Sequence, residues 1–105
     1  MPPSGDPDPY AELVLDLVDQ IPPGHVLAYG DVAALLGAGG GPRQVGRVMA
    51  LWGGGVPWWR VVRSSGHPAT GHEREALRRL QAEGAPLRSD GVRVDLDRAR
   101  WRPRG

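Results

Sequence analysis

Three runs of glycine and proline punctuate the first half of this 105-residue chain: Pro22-Pro23-Gly24, Gly39-Gly40-Gly41-Pro42, and Gly53-Gly54-Gly55 with Pro57 close behind. Proline has no amide hydrogen to give and collides with the preceding helical turn, while glycine frees the backbone, so each run ends one element and opens another. The elements between them must be short. Tyr10, Leu13, Val14, Leu17, Val18 and Ile21 recur at i, i+3, i+4, i+7, i+8 and i+11, which predicts an amphipathic helix over 10–20, with Asp8 as its N-cap and Pro9 in its first turn. Asp31 is expected to cap a two-turn helix over Val32–Leu36 that Gly37 stops. Pro42 is expected to open a third helix over about 42–51, with Val45, Val48 and Met49 inward and Arg43 and Arg47 one turn apart on the opposite side.

Helix, glycine turn and helix together predict a helix-turn-helix. Beyond it, the β-branched pair Val61-Val62 predicts a strand at 60–63, and a fourth helix is expected over 73–82, closed by Gly84. Val92-Arg93-Val94-Asp95-Leu96 alternates apolar and charged residues, as a half-buried strand does, and is expected to pair with the strand at 60–63. The expected fold class is mainly α with a small β wing, a winged helix-turn-helix. Residues 1–8, rich in proline, are expected to form a flexible tail, and residues 9–105 one domain.

Two absences exclude much chemistry. Without cysteine there is no disulfide, thiolate nucleophile or cysteine-built zinc site, and without lysine there is no Schiff base and no P-loop lysine. His25, His67 and His72 show no metal-ligand spacing, so neither a metal nor a cofactor is expected. No apolar run approaches the roughly 20 residues that span a bilayer, and the expected location is cytoplasmic, with no membrane partner.

The net charge is only +1, yet it is unevenly spread. Residues 1–42 hold six acids and no arginine, whereas residues 43–63 hold Arg43, Arg47, Arg60 and Arg63 and no acid. A planar guanidinium pairs with phosphate bidentately and stays charged at any useful pH, so this patch fits nucleic acid. A solvated arginine-rich surface is the alternative that charge alone leaves open.

The motifs narrow that choice. Ile21-Pro22-Pro23-Gly24-His25-Val26-Leu27-Ala28-Tyr29-Gly30-Asp31-Val32-Ala33 resembles the IPxGxVxTYGxIA stretch of the O6-alkylguanine-DNA alkyltransferase DNA-binding domain. Pro42-Arg43-Gln44-Val45-Gly46 resembles its RAVG recognition helix, Pro57-Trp58-Trp59-Arg60-Val61-Val62 its PCHRV active-site segment, and Glu83-Gly84 its closing EG. The likeness runs in one order from about Tyr10 to Trp101.

The departures imply a loss of chemistry. Trp58 stands where the family carries its alkyl-accepting Cys, Trp59 where it carries the activating His, and Trp52 where it carries the supporting Asn; Glu83 alone remains of the relay. An indole is no substitute for a thiolate. The chain is thus similar to the alkyltransferase-like proteins, which bind O6-alkylguanine without repairing it and hand it to nucleotide excision repair, although many of those have His where Trp59 stands.

By that resemblance Tyr29 turns the phosphate of a flipped nucleotide, and Arg43 enters the duplex to fill the vacated space. The recognition helix, with Gln44, Gly46 and Arg47, lies in the minor groove, where small residues permit close approach. Trp58 packs on the alkylated base, a contact worth roughly 1–3 kcal/mol. Trp59, Val61 and Ser65 are further candidates for the lesion pocket, with Trp59 either walling it as a second indole or pointing into the core, and Arg60 either contacts phosphate or serves as an internal hydrogen-bond donor. The expected partners are double-stranded DNA containing O6-alkylguanine and nucleotide excision repair proteins, and a monomer is expected. A winged-helix regulator of undamaged DNA, an enzyme using Ser64, Ser65 or Thr70, and a pure protein-interaction module are the rival readings.

Overall fold

Asp8 starts the first helix: its carboxylate accepts the Ala11 amide at 2.8 Å, and Pro9 occupies the first helical position, where a missing amide hydrogen costs nothing. In the computed structural model, residues 7–37 and 39–103 are described. The first six residues of the expected tail, and Ala38 in the glycine turn, lie outside them. The elements are α1 (Pro9–Asp19), β1 (Leu27–Ala28), α2 (Tyr29–Leu36), α3 (Pro42–Trp52), β2 (Val61–Val62), α4 (Glu73–Ala82) and a single turn, α5 (Leu96–Ala99). Short 3-10 turns at Gly53–Gly55 and Trp58–Arg60 link α3 to β2.

The helices α1, α2 and α3 pack on one another. Their shared core holds Ala11, Val14, Val18, Ile21, Val32, Val45 and Val48, and Trp52 and Trp101 cover its edge. Ala11 is fully buried whereas Leu13, on the flank of the expected stripe, is 47% exposed. The face of α1 is therefore rotated toward its smaller residue, which lets the neighbouring helices approach closely. Gly37 ends α2 in the left-handed conformation at φ 62°, as expected of a terminal glycine.

Three expectations about local structure are corrected. Helix α2 begins at Tyr29, two residues before the expected cap, so Asp31 lies inside its first turn. From there its carboxylate accepts the Ala28 amide at 2.8 Å and the Arg100 Nε–H at 2.9 Å. Second, β2 pairs with β1, in parallel, with Leu27 opposite Val61 and Ala28 opposite Val62. The segment expected to be only a connector is thus a strand, and α2 and α3 form the crossover that a parallel pair requires. Third, residues 92–96 do not pair with β2. Val94 bridges Leu87 and donates its amide to the Gly66 carbonyl at 2.8 Å, and Leu96 opens α5. That approach needs glycine at position 66, where φ is +91° and a Cβ would run into the Val94 carbonyl oxygen.

Successive strand residues point to opposite faces, so the two-residue ribbon divides the interior. Leu27 and Val61 join the three-helix core, while Val26 and Val62 join a second core with Leu80, Ala85, Val94, Leu96 and Ala99. The architecture is mainly helical with a small two-stranded sheet, winged-helix-like as expected. Among the described residues no helix is long and apolar enough to cross a membrane, and no group of three potential metal ligands occurs.

Candidate nucleic-acid interface

Burying Val45 and Val48 leaves the opposite face of α3 in solvent, and Arg43, Gln44 and Arg47 are exposed there. Beside that face lies a groove of about 610 Å³. Tyr29 from α2, Gly46 and Met49 from α3, Trp58 from the turn before β2, and Arg63 and His72 from the segment leading to α4 line it. Tyr29 and Gly46 sit side by side: a methyl group added at Gly46 would rest 3.9 Å from Tyr29 Cε1. Burial pushes the Tyr29 hydroxyl above its ordinary pKa, with the Arg63 charge opposing, so the hydroxyl is neutral and able to donate.

Trp58 meets Trp59 edge-on, with ring centres 5.7 Å apart and planes at 87°, and meets His72 at 5.6 Å. The two neighbouring indoles have different fates. Of the two placements open to it, Trp59 takes the one outside the groove, which corrects its place among the pocket candidates; its Nε1–H donates to Glu83 Oε2 at 2.8 Å. The guanidinium carbons of Arg60 and Arg79 lie 5.3 Å and 4.4 Å from its ring centre. A carboxylate for its N–H and cations for its π faces hold it on the internal side.

Arg60 is likewise internal rather than offered to phosphate. It donates to both Glu83 oxygens, the shortest contact being 2.6 Å, and to the Ile21 carbonyl at 2.8 Å, with its side chain 13% exposed. Burial alone would raise the Glu83 carboxyl, but the bonds from Arg60, the Gly24 amide and Trp59 outweigh it and hold the carboxyl below its usual range. Val61 and Ser65 also leave the expected pocket. Val61 is fully buried in the three-helix core because β2 alternation turns it inward, and Ser65 is exposed, its hydroxyl 2.7 Å from His67 Nδ1.

The structure thus brings together Tyr29, Gly46 and Trp58 beside Arg43, Gln44 and Arg47, and removes Trp59, Arg60, Val61 and Ser65. It adds Met49, Arg63 and His72. Arg63 belongs to the basic run in the sequence, but nothing local shows that it lines the same groove as Trp58. His72 carries no spacing signal at all.

A helix-turn-helix domain with an exposed arginine-bearing helix, and an indole-walled groove beside it, is the class these features define. Residues 9–85 match the family described as 6-O-methylguanine DNA methyltransferase, DNA binding domain, and the chain belongs to that family, among its alkyltransferase-like members. It is 40% identical over 98 residues to the DNA base-flipping protein of Escherichia coli (strain K12), covering 90% of this chain and 75% of that one. It is 30% identical over 105 residues to Alkyltransferase-like protein 1 of Schizosaccharomyces pombe, covering 91% of this chain and 97% of that one. The crystal structure of S. pombe Atl1 in complex with damaged DNA containing O6-carboxymethylguanine superposes with a TM-score of 0.78 at 31% identity, over 94% of this chain and 100% of that one.

Proposed function

We propose that this protein binds O6-alkylguanine in double-stranded DNA by nucleotide flipping, transfers no alkyl group, and flags the lesion for nucleotide excision repair. The observation that carries this reading is the place of Trp58. Its indole walls the groove where the family's alkyl acceptor belongs, in a chain without a thiol. Taking a base out of the stack costs a few kcal/mol and is cheapest for a badly paired lesion. Tyr29 offers its hydroxyl to the backbone of the flipped nucleotide, Arg43 fills the gap, and the base stacks on Trp58. Relatives named for base flipping, and the S. pombe protein seen on a damaged duplex, support the same reading.

Since the bound adduct stays on the DNA, the protein acts by marking it, as a monomer on cytoplasmic DNA, and the excision machinery does the removal. The test compares binding to identical duplexes containing guanine or O6-methylguanine, at two salt concentrations, with the adduct assayed afterwards. Tighter binding to the lesion, with the adduct intact, is expected. Equal affinity for both duplexes would instead favour a regulator of undamaged DNA, and stoichiometric loss of the adduct would make the protein an enzyme.

A further inference from the structure

The groove is not apolar throughout. Trp58 and Met49 supply hydrophobic wall, but Arg63 stands in the same lining. Its Nε–H donates to the Pro68 carbonyl at 3.1 Å, which ties the side chain to the turn it spans and leaves the two terminal nitrogens for other partners. One of them reaches Glu73 only at 3.8 Å, with both side chains more than 40% exposed, a weak and screened pairing. Glu75, the acid in the lining, is already taken: Arg79 on the next turn of α4 donates to it at 3.0 Å. Arg63 is therefore the less satisfied of the two formal charges on this groove.

We propose that Arg63 is a specificity-determining residue, selecting guanine O6 adducts that end in a carboxylate over neutral adducts of the same size. This rests on the reading of the groove as a lesion pocket. A planar guanidinium takes a carboxylate with two parallel N–H donors, a geometry that neither a methyl group nor an amide can match. Because Trp58 walls the same groove, the methylene of a carboxymethyl group would lie against indole while its carboxylate reaches toward Arg63. The positive charge of Arg63 is felt at the Tyr29 hydroxyl as well, which puts it within electrostatic reach of the residue assigned to the flipped nucleotide.

The experiment measures affinity for four duplexes that differ at one guanine: unmodified, O6-methyl, O6-carboxymethyl and O6-carbamoylmethyl, the last a neutral amide of the same shape as the acid. Wild type is compared with Arg63→Gln. The expected result is about a fivefold preference for carboxymethyl over carbamoylmethyl in wild type, as befits one partly exposed ion pair. In Arg63→Gln the ratio of carboxymethyl to carbamoylmethyl affinity should fall to near one, whatever the accompanying change in binding of the O6-methyl duplex. Equal binding of acid and amide by wild type, with the unmodified duplex bound more weakly, overturns this inference and leaves the lesion-binding reading standing. An equal loss across all four duplexes in Arg63→Gln also overturns it and makes Arg63 a backbone contact. Indifference of wild type to every adduct overturns both.

Discussion

The indole N–H of Trp59 donates to the carboxylate of Glu83 at 2.8 Å, across 24 residues of sequence. This bond holds the second of two adjacent tryptophans outside the groove lining, which Trp58 joins. Trp59→Phe keeps most of the ring contacts and removes the donor. A stability loss of about 1–2 kcal/mol is expected, while the ratio of lesion to undamaged affinity is retained. Chemical denaturation together with duplex titration checks both, and a collapse of discrimination with unchanged stability would contradict the internal placement.

Glu83 makes this part of the fold sensitive to acid. Its carboxyl is held below the usual range in the folded protein, so its contribution is complete above the unfolded carboxylate value and is lost as pH falls through the folded value. The difference in thermal midpoint between wild type and Glu83→Gln should be largest near neutrality and should narrow as pH falls through and below the ordinary carboxylate range. Asp90 is also held low, by the Val92 amide and by Arg93, but its part is common to both proteins and cancels. A gap that does not change with pH would mean that the ionised carboxylate is not what stabilises this contact.

Gly46 separates the needs of binding from those of folding. A methyl group there makes only ordinary contact with Tyr29, at 3.9 Å and 4.0 Å, and alanine is the better helix former by about 1 kcal/mol. Gly46→Ala should therefore raise the melting temperature slightly while weakening duplex binding, because the added methyl stands at the groove. Unchanged affinity would show that the duplex does not approach α3 at this point.

Tyr29→Phe and Arg43→Ala probe the flipping step directly. The Tyr29 hydroxyl stays neutral, so its loss removes one donor, worth about 0.5–1.5 kcal/mol of lesion affinity. Arg43 is exposed, and its truncation should leave stability within about 0.5 kcal/mol while weakening binding to the lesion. Titration of both variants against damaged and undamaged duplexes decides the matter; if neither changes affinity, these roles are wrong.

Trp58→Cys should not create an alkyltransferase. Trp59, which stands where the resemblance places the activating base, has a nitrogen that only donates and is already bonded to Glu83, so it cannot take the thiol proton. Trp58→Cys combined with Trp59→His, which puts an imidazole between thiol and carboxylate, should transfer a methyl group faster than Trp58→Cys alone. Adduct loss from an oligonucleotide under excess protein measures the difference, and brisk activity in the single variant would show that the relay is dispensable.

Local chemistry determined where the elements lie. The Asp8 cap, Pro9 and Pro42 at helix starts, the left-handed Gly37 and the buried face of Val45 and Val48 all follow from interactions within about one helical turn, so the residues alone reveal them. The order of motifs likewise pointed to Tyr29, Arg43 and Trp58. Only the tertiary structure decided what β2 pairs with, which of two adjacent indoles lines the groove, and that Arg60 turns inward to Glu83 while Arg63 joins the groove lining. Those outcomes depend on Glu83, 23 residues from Arg60, and on β1, which lies on the far side of two helices from β2. Neighbouring residues of like chemistry differ only in the partners the fold brings to them, and no local pattern encodes a partner that distant.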